Sequence, residues 1–164
     1  MLRAKNQKRR EKERSDIFLV SACLLGVDCK YNGKNNLNDM FVKLINKYEF
    51  IPVCPEQLGG LSTPRPRAEI VCKNSIESTT RVVRENGEDV TEHFINGAEQ
   101  TLKIAKLLKI KKAVLKEKSP SCGVHKIYDG SFSGKLLNGS GVTTKFLKKN
   151  GISVFSESEF KKIL

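Results

Sequence analysis

The sequence predicts a single α/β domain with a central, mainly parallel, Rossmann-like sheet and an inserted β-hairpin. Three observations carry this expectation. Short apolar runs recur at residues 17–21, 50–54 and 113–115, each running into a loop of Gly, Pro or Ser. Segments of helical periodicity separate them, the alternation that builds parallel βαβ units. At 164 residues the chain has room for one ordinary domain and little more.

Taken in order, residues 1–14 (MLRAKNQKRREKER) are almost all polar and form a basic arm expected to be disordered, leaving 15–164 as the folded domain. DIFLVSACLLG, residues 16–26, is a β-branched run ending in small residues, as a buried strand entering a loop does. Residues 36–48 place Met40, Phe41, Leu44, Ile45 and Tyr48 at helical spacing, with Asn38 or Asp39 as cap. EFIPVCPEQLGG follows as a second strand, kept short or on an edge by Pro52. Strand, helix and strand in this order form a right-handed parallel unit, so Cys23 and Cys54 occupy equivalent strand ends.

Thr63-Pro64 and Arg65-Pro66 exclude a helix and predict a stiff loop before another short strand. Asn86-Gly87 between β-prone residues predicts the hairpin. Thr91 caps an amphipathic helix that places Phe94, Ala98, Leu102, Ala105 and Leu108 on one face. KKAVLKEKSPSCG repeats the strand-to-loop theme around Cys122. GSFSGKLLNGSG reads as flexible loop, VTTKFLKKN as a helix closed by Gly151, and ISVFSES as the last strand.

Composition narrows the class. Charged residues make up 29% and hydrophobic residues 38%, and no apolar run approaches the roughly 20 residues of a membrane span. The N-terminal segment lacks a signal-peptide core, so the expected address is the cytoplasm. Five cysteines, an odd number without an export signal, then read as reduced thiols rather than a disulfide framework. The net charge of +12 favours acidic partners, but the basic residues concentrate in the arm; RNA contact there is the less favoured reading beside a solvated tail.

Loops at the carboxyl ends of parallel strands meet in a crevice where ligands bind. Cys23, Cys54 and Cys122 are expected to converge there. Any one of them is readily a small buried hydrophobe, but three at matching strand ends point to a metal. Three thiolates suit either a zinc with one open position or an iron-sulfur cluster with one iron lacking a protein ligand. Spacing leaves both open.

VSACLLGVDCKYNG, PVCPEQLGGLSTPRPRAEIV, GEDVTEHFINGAE, LKEKSPSCGV and IYDGSFSGKLLNGSGVTTKFLKKNGISVFSE together resemble, from residue 17 to 157, the thiouracil desulfurase and thiouridine desulfidase family. The resemblance implies a 4Fe-4S cluster held by Cys23, Cys54 and Cys122, with the fourth iron open to substrate sulfur. It implies non-redox replacement of a thiocarbonyl sulfur by water oxygen in a thiolated pyrimidine base or nucleoside, of 2-thiouracil or 4-thiouridine type, with release of sulfide. Proton transfer maps onto Glu56 and onto Ser119, with Ser121 as the competing serine.

Other candidates carry less. Cys29 and Cys72 lie outside the cluster motifs and read as structural thiols. Gly59 and Gly60 are expected to let backbone approach the planar substrate. Arg65 and Arg67 are open to three readings: binding phosphate, fixing a carboxylate, or standing in solvent. One carboxylate in question is Glu56 itself, for which a surface ion pair is the plain alternative to a proton-transfer role. His93 and His125 have no evident partner, and Ser131 and Ser133 read as loop residues. The rival function is a metal- or cluster-binding protein that handles thiolated RNA or sulfide without catalysis.

Overall fold

Residues that alternate between two buried faces make the sheet. In β1 (Ile17–Ser21), Leu19 points to one side and Phe18 and Val20 to the other, all 2% exposed or less. The same division continues in β5 (Lys112–Leu115), where Ala113 and Leu115 oppose Val114. A strand buried on both faces has to be sandwiched between layers, and in this computed structural model, which describes residues 16–71 and 80–162, it is. The basic arm and Cys72 lie outside the described residues.

The central sheet has the order β2-β1-β5-β8 and is parallel throughout, with β2 at Glu49–Val53 and β8 at Ser153–Ser156. Pro52 accordingly sits on an edge strand, paired with Val20. One face is covered by α3 (Thr91–Leu107) and α4 (Val142–Lys149), which bring Leu102, Ala105 and Leu147 onto Leu19, Ala113 and Val154. The other face is aromatic. Phe18, Phe41 of α1 (Asp39–Leu44) and Phe160 of α5 (Glu157–Phe160) pack there, with Phe41 and Phe160 stacked at 5.7 Å. Asn38 caps α1 through its side chain, as expected.

Two antiparallel pairs complete the domain. β3 (Ala68–Val71) pairs with β4 (Arg81–Arg84), so the strand ahead of Asn86-Gly87 finds its main partner upstream. The turn at 86–87 returns only as far as a single bridge, Val83 to Asp89. In the second pair, β6 (Lys126–Tyr128) with β7 (Leu136–Asn138), β7 lies in the segment the sequence marks as loop, residues 130–141. Three residues between glycine-rich turns are too few to show a period. The cap of α3 also differs from expectation: Val90 takes that position, and the Thr91 hydroxyl is occupied by Val82 N and Asp89 Oδ1. Leu108, one residue past the helix end, is exposed rather than on the buried face.

Candidate active site

At the carboxyl edge of the sheet, three strands deliver their cysteines to one cavity of about 420 Å³. Cys23 leaves β1 in a short 3-10 turn (Ala22–Leu25), Cys54 caps α2 (Pro55–Leu58), and Cys122 lies in the turn beyond β5. All three line the cavity, as do Glu56 and Ser119. The hairpins supply the opposite wall through Ala68, Tyr128 and Gly134. Glu69 fastens that wall, its Oε2 accepting the N–H groups of Gly130 and Phe132 at 2.9 and 3.0 Å.

Cys29, read from the sequence as a structural thiol, is buried as that reading expects, and it also lines the cavity. The loop after Gly26 folds back over the 3-10 turn, with Asn36 N donating to Cys23 O at 2.9 Å and Asn38 N to Leu24 O at 3.0 Å. That fold buries Cys29 to 2% exposure and sets its thiol against those of Cys23 and Cys54. The proton then has a preferred owner. Hydrogen bonding to Cys29 is the main reason that Cys23 and Cys54 are lowered to about 7, with Asn36 Nδ2 (3.4 Å from Cys23 Sγ) and Lys116 assisting at Cys23. Cys29 itself is raised, foremost by the same bond to Cys23. Cys122 is also raised, but by burial.

Glu56 follows Pro55 in the first turn of α2, and its carboxylate meets Arg65 in a nearly buried ion pair at 2.7 Å. The guanidinium side chain is 3% exposed and the carboxylate 15%. This is the ion pair weighed as the alternative, with Arg65 as its partner, formed in a nearly buried setting rather than at the surface. Arg67 turns away to Glu85, so the two arginines separate into one that fixes the site carboxylate and one paired near the rim.

The two serines are separated as well. Ser119 Oγ accepts the N–H groups of Ser121 (3.1 Å) and Cys122 (3.0 Å) and keeps its own proton to donate into the cavity. Ser121 is 1% exposed, bonded to Thr143 Oγ1 at 2.9 Å, and does not line the cavity.

Gly59 and Gly60 do not face the cavity. A Cβ on Gly59 would stand 2.0 Å from His93 O, and one on Gly97 1.9 Å from Pro55 O, so these glycines let α2 and α3 touch backbone to backbone. His93 completes that contact through Nδ1 and Gly59 O at 2.8 Å. His125 is an exposed partner of Glu159. Ser131 and Ser133 bond each other within the β6–β7 turn, where Ser131 also donates to Asp129. Ser21 and Lys116 line the cavity without having been singled out by motif: Ser21 Oγ accepts Lys116 N at 2.9 Å, while Lys116 Nζ reaches Glu157 at 2.7 Å.

A parallel α/β sheet that gathers thiols, a carboxylate and a hydroxyl in one cleft at its carboxyl edge defines a thiolate-based catalytic or metal-binding protein. Comparison makes this specific. Residues 18–159 match the 2-thiouracil desulfurase family model, and the chain belongs to that family, a family of enzymes. It is 45% identical over 151 residues to the uncharacterized protein YbbK of Bacillus subtilis (strain 168), covering 90% of this chain and all of YbbK. Among solved structures it is similar to TudS, a [4Fe-4S]-dependent thiouracil desulfidase. The TM-score is 0.80 at 40% identity, over 90% of this chain and 94% of that one.

Among the described residues no three Cys, His, Asp or Glu side chains gather about a point suited to a single metal ion. The donor set nevertheless suits a larger iron-sulfur group: soft sulfur ligands on three separate loops, two already inclined to the thiolate, around a cavity wide enough for cluster and substrate.

Proposed function

We propose that the chain is a [4Fe-4S]-dependent desulfidase for thiolated pyrimidines, with 2-thiouracil or a 4-thiouridine-type compound as substrate. Cys23, Cys54 and Cys122 would hold the cluster. The observation that carries this reading is that these three cysteines, Glu56 and Ser119 all line one cavity, in a chain 40% identical to TudS.

The chemistry requires no redox change. Exchange of C=S for C=O consumes one water and releases the elements of hydrogen sulfide, so the water must give up its protons as sulfur departs. When bound, the cluster supplies a thiophilic Lewis acid for that sulfur. The remaining work falls to the side chains. Glu56, held by Arg65 at the cavity wall, takes the proton from the attacking water and returns it to ring nitrogen or departing sulfur. Ser119 has its lone pairs occupied by two backbone N–H groups, so its hydroxyl proton is directed outward as a donor. The Ala68, Tyr128 and Gly134 wall closes over the planar ring.

The test is anaerobic purification followed by iron and sulfide analysis and an assay of sulfide release from 2-thiouracil and 4-thiouridine. Turnover with about four irons per chain, as one 4Fe-4S cluster requires, is the expected result. A loaded protein that binds these compounds without releasing sulfide is instead a binder.

A further inference from the structure

We propose that Arg65 is a positioning residue that divides the Glu56 carboxylate into a held oxygen, Oε2, and a working oxygen, Oε1. The inference rests on the proton-transfer role of Glu56 given above and adds which atom performs it and what fixes that choice.

Every nitrogen of the Arg65 guanidinium is engaged. Nε and Nη2 both reach Glu56 Oε2, at 2.8 and 2.7 Å. Nη1 donates to Ser62 O (3.0 Å) and Thr63 Oγ1 (2.9 Å), and the second hydrogen of Nη2 goes to Cys29 O at 3.0 Å. A guanidinium more often meets a carboxylate fork to fork, one N–H on each oxygen. Here both N–H groups converge on one oxygen. Among the described residues the contacts of the carboxylate all fall on Oε2, and no side-chain oxygen is both buried and without a partner, so Oε1 is accessible on a residue that lines the cavity. Because the remaining donors of Arg65 are fixed to the 62–63 loop and to the Cys29 backbone, the guanidinium cannot pivot to cover Oε1 without breaking buried bonds.

Arg65 also joins two loops. The Cys29 carbonyl that accepts Nη2 lies 3.7 Å from Cys54 Sγ. The carboxylate, the Cys29 loop and the Cys54 thiol therefore share one rigid support, and lysine, with three donors and no planar fork, cannot reproduce it.

The test uses two measurements with different dependences. In the metal-free chain, thermal midpoints of Arg65→Lys, Glu56→Gln and the double variant form a cycle that needs no activity. The two single losses are expected to sum to clearly more than the double loss; simple additivity would overturn the pairing. In the cluster-loaded enzyme, Arg65→Ala and Arg65→Lys are expected to lower kcat on 2-thiouracil by about 10²-fold, the typical cost of misplacing a reacting group, with KM and iron content near those of the parent. Millimolar guanidinium chloride should restore kcat of Arg65→Ala at least several-fold, whereas methylammonium chloride should not. Full kcat in Arg65→Lys, or equal rescue by both cations, would overturn the proposal. If Glu56→Gln alone leaves kcat unchanged, the function assigned to Glu56 fails instead, while the stability cycle still decides whether Arg65 holds the carboxylate.

Discussion

The two sides of the cavity hold their cysteines in opposite conditions. Cys23 and Cys54 stand at the ends of β1 and β2 against the aromatic cluster, yet with hydrogen-bond partners in Cys29, Asn36 and the backbone, and both are lowered toward neutrality. Cys122, beyond β5, belongs to the apolar cluster under α3 and α4, and burial raises it. The same side chain is thus inclined to the thiolate at two positions and held as a thiol at the third. Burial acts against the thiolate at both Cys23 and Cys122; at Cys23 the hydrogen bond to Cys29 outweighs it, and at Cys122 it prevails. In the proposed cluster site, the thiol proton hardest to remove among the three is that of Cys122.

The sharpest way to break that comparison is to remove the thiols one at a time. Cys23→Ala, Cys54→Ala and Cys122→Ala are each expected to abolish cluster assembly after anaerobic reconstitution, read as iron and sulfide per chain. Cys29→Ala should keep it, because Cys29 is not among the proposed ligands and its carbonyl contacts to Arg65 and Cys54 survive the loss of its thiol. Loss of iron in Cys29→Ala as complete as in Cys23→Ala would reassign the ligands. Glu56→Gln comes next, with a rate loss of ~10²-fold or more at unchanged iron content, measured as sulfide release.

A smaller effect separates the two sides mechanically. Gly97→Ala forces a methyl against Pro55 O and displaces α2, which carries Glu56 and is capped by Cys54, without touching the turn of Cys122. Destabilisation of about 1–3 kcal/mol by denaturant unfolding is expected. The smallest effect is electrostatic. In the metal-free chain, alkylation of Cys54 should rise through pH 7 and level off above it, because a lowered thiol is already thiolate at neutral pH. Cys122 should remain unmodified over the same range. Cys29→Ala removes the main lowering partner and should move the Cys54 midpoint upward; an unmoved midpoint would deny Cys29 that role.

Much of this was legible because it is local. The strand, helix and strand around Cys23 and Cys54 follow from periodicity and from Pro52, and the edge position of β2 follows from the proline as well. Cys54 and Glu56 share a loop in any fold. The nearness of Cys29 to Cys23 and Cys54 is not legible, because it comes from a loop that closes on itself through backbone bonds, which leave no periodic signal. Gly59 and Gly60 were assigned to the substrate, when their partner is a helix more than thirty residues downstream. Arg65 and Arg67 have the same chemistry and nearly the same flanks, and only the tertiary structure distinguishes Glu56 from Glu85 as partner. For the serines, the discriminating fact is the pairing of Ser121 with Thr143 across 22 residues.

Pro52 has a further consequence for how the molecule behaves among copies of itself. The outer rim of β2 is a border of the sheet, where a foreign strand would otherwise add by main-chain pairing. A proline on that border withholds one donor from any newcomer and so discourages growth of the sheet into an aggregate. Two residues further on stands Cys54, and any strand that docked along β2 would end against the mouth of the cavity. The ring that keeps the sheet finite thereby also keeps the entrance clear.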